Sequence, residues 1–247
     1  MTRLTISWCA AVALLLTLSQ RSAQAQELPD IITDRPDFTE SPTTVPVGRV
    51  QIEAGATQEW GRDSDVIAGP EALIRWSPLS RFELRLTLPD YIDAGSASGF
   101  GDISVGAKAA FGTLGGWQVA GLAGLSLPTG ENEVSSGEVV PEVLLTAGRD
   151  LSTSWSMGAQ VSATLVNAAN DVELGATLVM GTGLTERIGT FLEAAVSGAV
   201  GEPVAALLHH GYTLSLGSQM QADLHAGVGL TDTAPKFLLG AGWSTRF

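Results

Sequence analysis

Residues Phe237 to Phe247 read FLLGAGWSTRF. Phe237, Leu239, Ala241, Trp243, Thr245 and Phe247 share one parity and carry no charge, whereas Leu238, Gly240, Gly242, Ser244 and Arg246 share the other. Side chains of an extended chain alternate between two faces, so this segment has one apolar face and one small or polar face. A strand of this kind that stops on an aromatic is typical of bacterial outer-membrane barrels, where the apolar parity meets lipid and the polar parity meets the lumen.

The opposite end of the chain carries a matching address. Arg3 supplies a positive start, Ile6 to Leu18 is almost wholly apolar, and Ala23-Gln24-Ala25 offers a small-x-small cleavage site before Gln26, so residues 1–25 are expected to be a removable signal peptide. The apolar run is shorter than the roughly 20 residues that a helical span needs. Cys9 is the only cysteine and lies inside that run, away from the position a lipoprotein signal would require, which leaves the mature chain without thiol chemistry. Removal of Arg3 and Arg21 with the leader takes the formal charge from −13 to −15, which argues against a nucleic-acid partner. Only 16% of the residues are charged, 29 are glycine, and no later segment is apolar for long enough to cross a bilayer as a helix. A membrane protein that spans with strands must close its sheet, because unpaired backbone groups in hydrocarbon are costly.

Turn-rich clusters divide the rest of the chain. They fall at Gly61 to Asp65, Ser77 to Arg81, Asp93 to Gly99, Thr113 to Gly116, Pro128 to Gly137 and Arg149 to Ser154, then at Asn167 to Asp171, Thr185 to Arg187, Ala199 to Pro203, Ser215 to Ser218 and Thr231 to Pro235. Eleven turns separate twelve strands, and about 200 residues suffice for spans of the usual 9 to 11 residues. Every other turn holds a leucine beside Ser, Thr or Gly, at Leu79, Leu114, Leu151, Leu184 and Leu216, spaced by 35, 37, 33 and 32 residues. That spacing is one up-and-down hairpin. It predicts short periplasmic turns at the leucines and longer outward connections at Asp93 to Gly99 and Pro128 to Gly137.

Parity along these strands separates charge from apolar surface. One face runs through Val50, Ile52, Ala54 and Ala56, then Val66, Ala68, Ala72 and Ile74, then Phe82, Leu84, Leu86 and Leu88, and continues without a charge to Ala222, Leu224, Ala226 and Val228. The other parity carries Glu53, Glu59, Glu71, Arg75, Arg81, Glu83, Arg85, Asp102, Lys108, Glu142, Glu173, Glu193, Asp223, His225 and Lys236. A lipid-facing basic residue at mid-membrane costs about 2 to 4 kcal/mol, so this segregation predicts a polar lumen. Trp76, Phe82, Phe111, Trp117, Trp155, Tyr212 and Phe247 lie beside the periplasmic turns or the terminus, as an interfacial girdle would. Pro70 and Pro141 each remove a ladder donor and are placed near the outer rim, where irregularity is tolerated.

Several ordered motifs resemble a known family. They are Thr33 to Ser41 (TDRPDFTES) followed by Val47-Gly48 and Glu53, Gly99 to Lys108 (GFGDISVGAK), Leu125 to Gly130 (LSLPTG), and the tail from Gly211 (GYTLSLGSQMQADLHAGVGLTD). Together they make the chain similar to the MetA-pathway of phenol degradation family. The resemblance implies an outer-membrane barrel linked to passage of small, often aromatic or apolar, compounds, and it carries fold better than substrate. His209 and His210 stand before Gly211 where an acidic residue is common in that family.

The expected fold is therefore all-β: an up-and-down antiparallel barrel of about twelve strands over residues 47–247, preceded by a segment at 26–46. That segment is polar, holds four prolines and does not alternate. Asp34, Arg35, Asp37 and Glu40 are its candidate plug residues, entering the periplasmic mouth to pair with lumen charges; the alternative is a loose periplasmic tail. The candidate lumen-lining set is Glu53, Glu71, Arg75, Arg81, Glu83, Arg85, Asp102, Lys108, Glu142, Glu193, Asp223 and His225. Basic groups facing a larger number of acids would set a transverse field across a pore, or would pair with one another and fill a narrow bore.

Enzymatic readings are weak. A lipase site needs Ser and His together at the lipid-facing rim, yet His210 has no outward serine beside it. His225 beside Asp223 and Gln221 fits a hydrogen-bonded lumen patch better than catalysis or metal binding, so no cofactor, metal or catalytic residue is expected. The expected function is an outer-membrane channel for small molecules, aromatic or apolar ones among them, against a closed structural or interaction barrel. The expected partners are outer-membrane lipid and lipopolysaccharide, with divalent ions at acids of the outer rim, together with the barrel-assembly machinery and the solute.

Overall fold

A computed structural model describes residues 28–166 and 171–247. The expected signal peptide and most of the Asn167 to Asp171 turn lie outside the described residues. Fifteen strand segments form one sheet. They are β1 (Val50–Trp60), β2 (Asp65–Gly69), β3 (Leu73–Leu79), β4 (Phe82–Thr87), β5 (Tyr91–Asp93), β6 (Ser98–Phe100), β7 (Ile103–Leu114) and β8 (Trp117–Leu127), followed by β9 (Val140–Asp150), β10 (Trp155–Leu165), β11 (Val172–Gly183), β12 (Ile188–Ala199), β13 (Ala205–Ser215), β14 (Met220–Gly229) and β15 (Phe237–Arg246).

Three staves of the barrel are interrupted, so that β2 with β3, β4 with β5, and β6 with β7 each make one crossing, and the total is twelve. Each stave pairs antiparallel with its sequence neighbour. The opening segment of alternation closes the ring: β15 pairs with β1 from Gln51↔Arg246 to Trp60↔Phe237, and the Phe247 amide donates to the Val50 carbonyl at 2.9 Å. Closure leaves no open edge, which is what a sheet in hydrocarbon requires.

The burial pattern is inverted relative to a water-soluble domain. Arg75, Lys108, Glu53, Glu83, Glu193 and His209 have almost no exposed surface, whereas Leu192, Val143, Val161 and Leu224 are each more than half exposed on the outer wall. A continuous apolar outer wall of this kind is tolerable only against lipid. Trp76, Phe111, Trp155, Tyr212 and Phe247 stand exposed toward the periplasmic end. The opposite rim has its own aromatic pairs, Trp60 with Phe237 at 5.3 Å and Tyr91 with Phe100 at 5.4 Å between ring centroids.

One stave departs from the expected alternation. Ile67 pairs with outward Gln58, and Val66 pairs with inward Glu59, so Ile67 faces lipid while Val66 and Ala68 face inward. Below the break Ile74 pairs with outward Ile52 and the expected parity returns. The reversal sits at Pro70, which cannot donate to the ladder, and at Glu71, whose φ of +47° places it in the left-handed region. The amide of Gly55 instead donates to the Pro70 carbonyl at 2.6 Å.

Candidate functional site

The segment before β1 runs inside the barrel. Its three prolines from Pro36 to Pro46 and its lack of alternation keep it out of the ladder, so its amides need other acceptors. It is tied at the periplasmic mouth where the Ile31 amide donates to the Ser218 carbonyl at 2.8 Å and Gln219 and Arg246 reach the Pro29 carbonyl. It then climbs into the bore and returns, and the Gly48 amide donates to the Ser77 carbonyl at 2.7 Å before β1 begins.

Carboxylates of the barrel wall accept the amides that the loop cannot pair with itself. Glu53 takes the Asp34 amide at 3.0 Å and the Arg35 amide at 2.9 Å. Glu193 takes the Phe38 and Thr39 amides, both at 2.9 Å, and the Thr39 hydroxyl at 2.6 Å. Glu83 accepts from Val45 at 2.9 Å. The Glu40 amide donates to the Gln160 side chain at 2.8 Å. Hydrogen bonds with an ionised acceptor are stronger than neutral ones, so these acids anchor the loop along its length.

The side chains of the loop complete the network. Asp34 is buried among Arg75, Arg85 and Lys108 at 3.1, 2.6 and 3.0 Å. Glu40 meets Arg85 and Lys108, both at 2.7 Å. Arg75 is also held by Glu53 at 2.7 Å and Glu83 at 2.9 Å. Arg35 extends to Glu71 at 2.6 Å and Asp223 at 3.3 Å. Its guanidinium crosses the wall at the cross-strand pair Gly55↔Gly242, where a Cβ on either glycine would collide with it. The small face of the last strand is thus the seat of one arginine.

Not every expected lumen residue joins this centre. Arg81 stands exposed in the β3–β4 turn with φ +64°, so it does not line the bore; a turn position escapes the strand parity that assigned it inward. Asp102 precedes β7 at the outer rim. There it accepts from the amides of Thr129, Gly130 and Ser136 and the hydroxyls of Ser135 and Ser136, at 2.7 to 3.0 Å, and so ties down the 128–139 connection. What burial it has pushes its carboxyl upward, but the Gly130 amide and the Ser135 hydroxyl outweigh that and hold its pKa at about 2. Glu142 faces inward and borders an outer cavity. Asp37 borders the two cavities on the periplasmic side.

His209 was not among the expected site residues. It is fully buried, donates or accepts at 2.9 Å with both Glu193 and His225, and stacks on Phe38 with centroids 4.5 Å apart. Parity could have found it, because Leu208 and His210 flank it on the outward face of β13. Among the described residues no group of three or more His, Cys, Asp or Glu is arranged to hold a metal ion.

The loop divides the bore. On its periplasmic side lie cavities of about 550 and 500 Å³, and on its outer side cavities of about 290 and 230 Å³. Asp37 borders both of the former and Phe38 both of the latter, while Glu40 borders a cavity on each side. Residues that face opposite sides are adjacent in sequence, so the partition at this level is a single pass of chain.

The family model described as "Putative MetA-pathway of phenol degradation" matches residues 33–247. No curated protein sequence matches the chain. Among solved structures, it is similar to the COG4313 outer membrane channel from Pseudomonas putida F1, with a TM-score of 0.61 and 15% identity over 87% of this chain and 100% of that one. It is also similar to the KdgM porin, with a TM-score of 0.57, 10% identity and coverage of 80% and 99%. The NanC porin gives a TM-score of 0.56 at 6% identity, covering 79% of this chain and 98% of that one. At such identities what is shared is the fold, a closed twelve-stranded barrel of the bacterial outer membrane.

Proposed function

The chain belongs to the MetA-pathway of phenol degradation family, and on that premise we propose that it is an outer-membrane channel for passive entry of small molecules, aromatic and apolar ones among them. The inserted loop is its plug. The observation that carries this reading is the thinness of the partition between the cavities on either side of Asp37 to Glu40. The plug is held by polar contacts rather than by an apolar core, and water can replace such contacts one at a time. Entry needs only the loop to shift, not the barrel to open, and no covalent step or cofactor is involved. Outer-membrane lipid, lipopolysaccharide and the barrel-assembly machinery are the proposed partners.

The closed barrel is the second reading, favoured by the zero exposure of Arg75 and Lys108 within the network. Purified protein in liposomes separates the two. A channel admits a panel of uncharged single-ring solutes faster than protein-free liposomes do; equal rates across the whole panel would leave the closed barrel.

A further inference from the structure

The two outer cavities differ in chemistry although they share Phe38 and Gln160. The smaller is bordered by Arg85, Glu40 and Glu142. The larger, of about 290 Å³, has apolar walls from Phe38, Leu207 and Leu238, with Ser162 and Glu59 among its polar groups and neither lysine nor arginine in its lining. Phe38 itself is 42% exposed at the top of the plug, with His209 stacked on its ring. Beside Leu207 and Leu238 it presents an apolar surface in a bore whose other cavities are bordered by several charged side chains. A volume near the lower end of ligand cavities limits an occupant to about one ring.

We propose that this cavity is a binding site for a neutral solute of single-ring size, with an apolar body against Phe38, Leu207 and Leu238 and one hydroxyl-type group directed to Ser162 or Glu59. An anion finds no counter-charge there and meets the Glu59 carboxylate, so the site discriminates by charge before the plug is reached. The inference deepens the channel reading and rests on it for the direction of entry. Because Phe38 is tied through its own amide to Glu193, the solute binds directly on the part of the plug that must move.

Cys9, within the expected leader, is the only cysteine of the sequence, so a single reporter placed in the wall is specific. In the full barrel, Ser197→Cys, in the lining of the cavity, is labelled with a water-soluble maleimide in the presence of benzyl alcohol or of benzoate, which match in size and differ in charge. Benzyl alcohol should slow labelling in a saturable way and benzoate should leave the rate unchanged. Ala205→Cys, in the lining of the same cavity, is a second reporter and should give the same order. Phe38→Ala should weaken the protection about tenfold, as loss of an aromatic contact and its buried area implies. Absence of protection by benzyl alcohol at both reporters, or equal protection by benzoate, would overturn the site. Uptake in liposomes without protection removes the site and leaves the channel; protection without uptake keeps the site and removes the channel.

Discussion

At the scale of single residues, the bore is organised by charges that satisfy a backbone. Arg75 lies between Asp34, Glu53 and Glu83 with almost no exposed surface, so Arg75→Met leaves three buried acids without their shared cation. Such a loss costs about 3 to 5 kcal/mol, and the temperature at which the barrel loses its compact gel mobility should fall accordingly. Gly242→Val acts differently. Its side chain takes the slot of the Arg35 guanidinium and also meets the Ala54 carbonyl across the seam, so it should displace the plug and raise permeability at some cost to the pairing of β15 with β1. Unchanged permeability of a well-assembled Gly242→Val barrel would contradict the seat assigned to Arg35. At the outer rim, the lowered pKa of Asp102 means that its stabilisation of the 128–139 connection is complete above the ordinary value of 3.8 and is lost as the pH falls through about 2. Pepsin cleavage within 128–139 should therefore rise only below about pH 3.8, and Asp102→Asn should remove that dependence.

At the scale of the strand, most of the fold was legible because period-two alternation needs no knowledge of a partner. Phe237 to Phe247 declared its two faces in sequence, and β1 accepted it in that register. The parity failed where the backbone left the ladder: Glu71 in a left-handed conformation reversed the faces of β2, and Arg81 in a turn had no face to assign. Nothing in the residues of β2 announces the reversal, since Val66, Ile67 and Ala68 are all apolar. Labelling tests it, with Ile67→Cys reacting preferentially with a lipid-soluble maleimide and Val66→Cys with a water-soluble one; the opposite preference would restore simple alternation. In β4 the alternation is unbroken, as Leu86 pairs with outward Val105 and Thr87 with Ser104 on the other face. Leu86→Arg should reduce outer-membrane yield by the roughly 2 to 4 kcal/mol of a lipid-facing arginine, and Thr87→Arg should not.

At the scale of the whole molecule, the barrel and the loop solve each other's problem. In an empty bore Glu53 and Glu83 would keep Arg75 but, like Glu193, would lack the backbone donors that complete their hydrogen bonding, and a proline-rich segment by itself would have unpaired amides; inserted, each supplies what the other lacks. The sequence marked these acids as inward and offered the 26–46 segment as a partner for lumen charges, but not which amide meets which acid, because the loop contacts residues up to 217 positions away and follows no period. His209 joined the site through its cross-strand neighbour Glu193 and its stack on Phe38 of the loop. The central claim is that this loop is a plug in a channel. Its most direct test is the single-channel conductance of the whole protein beside a variant lacking Glu27 to Thr39, which retains Gln26 and every strand. The account predicts normal assembly and a clearly larger conductance for the deletion; a deletion barrel that assembles normally with the same conductance as the parent would contradict it.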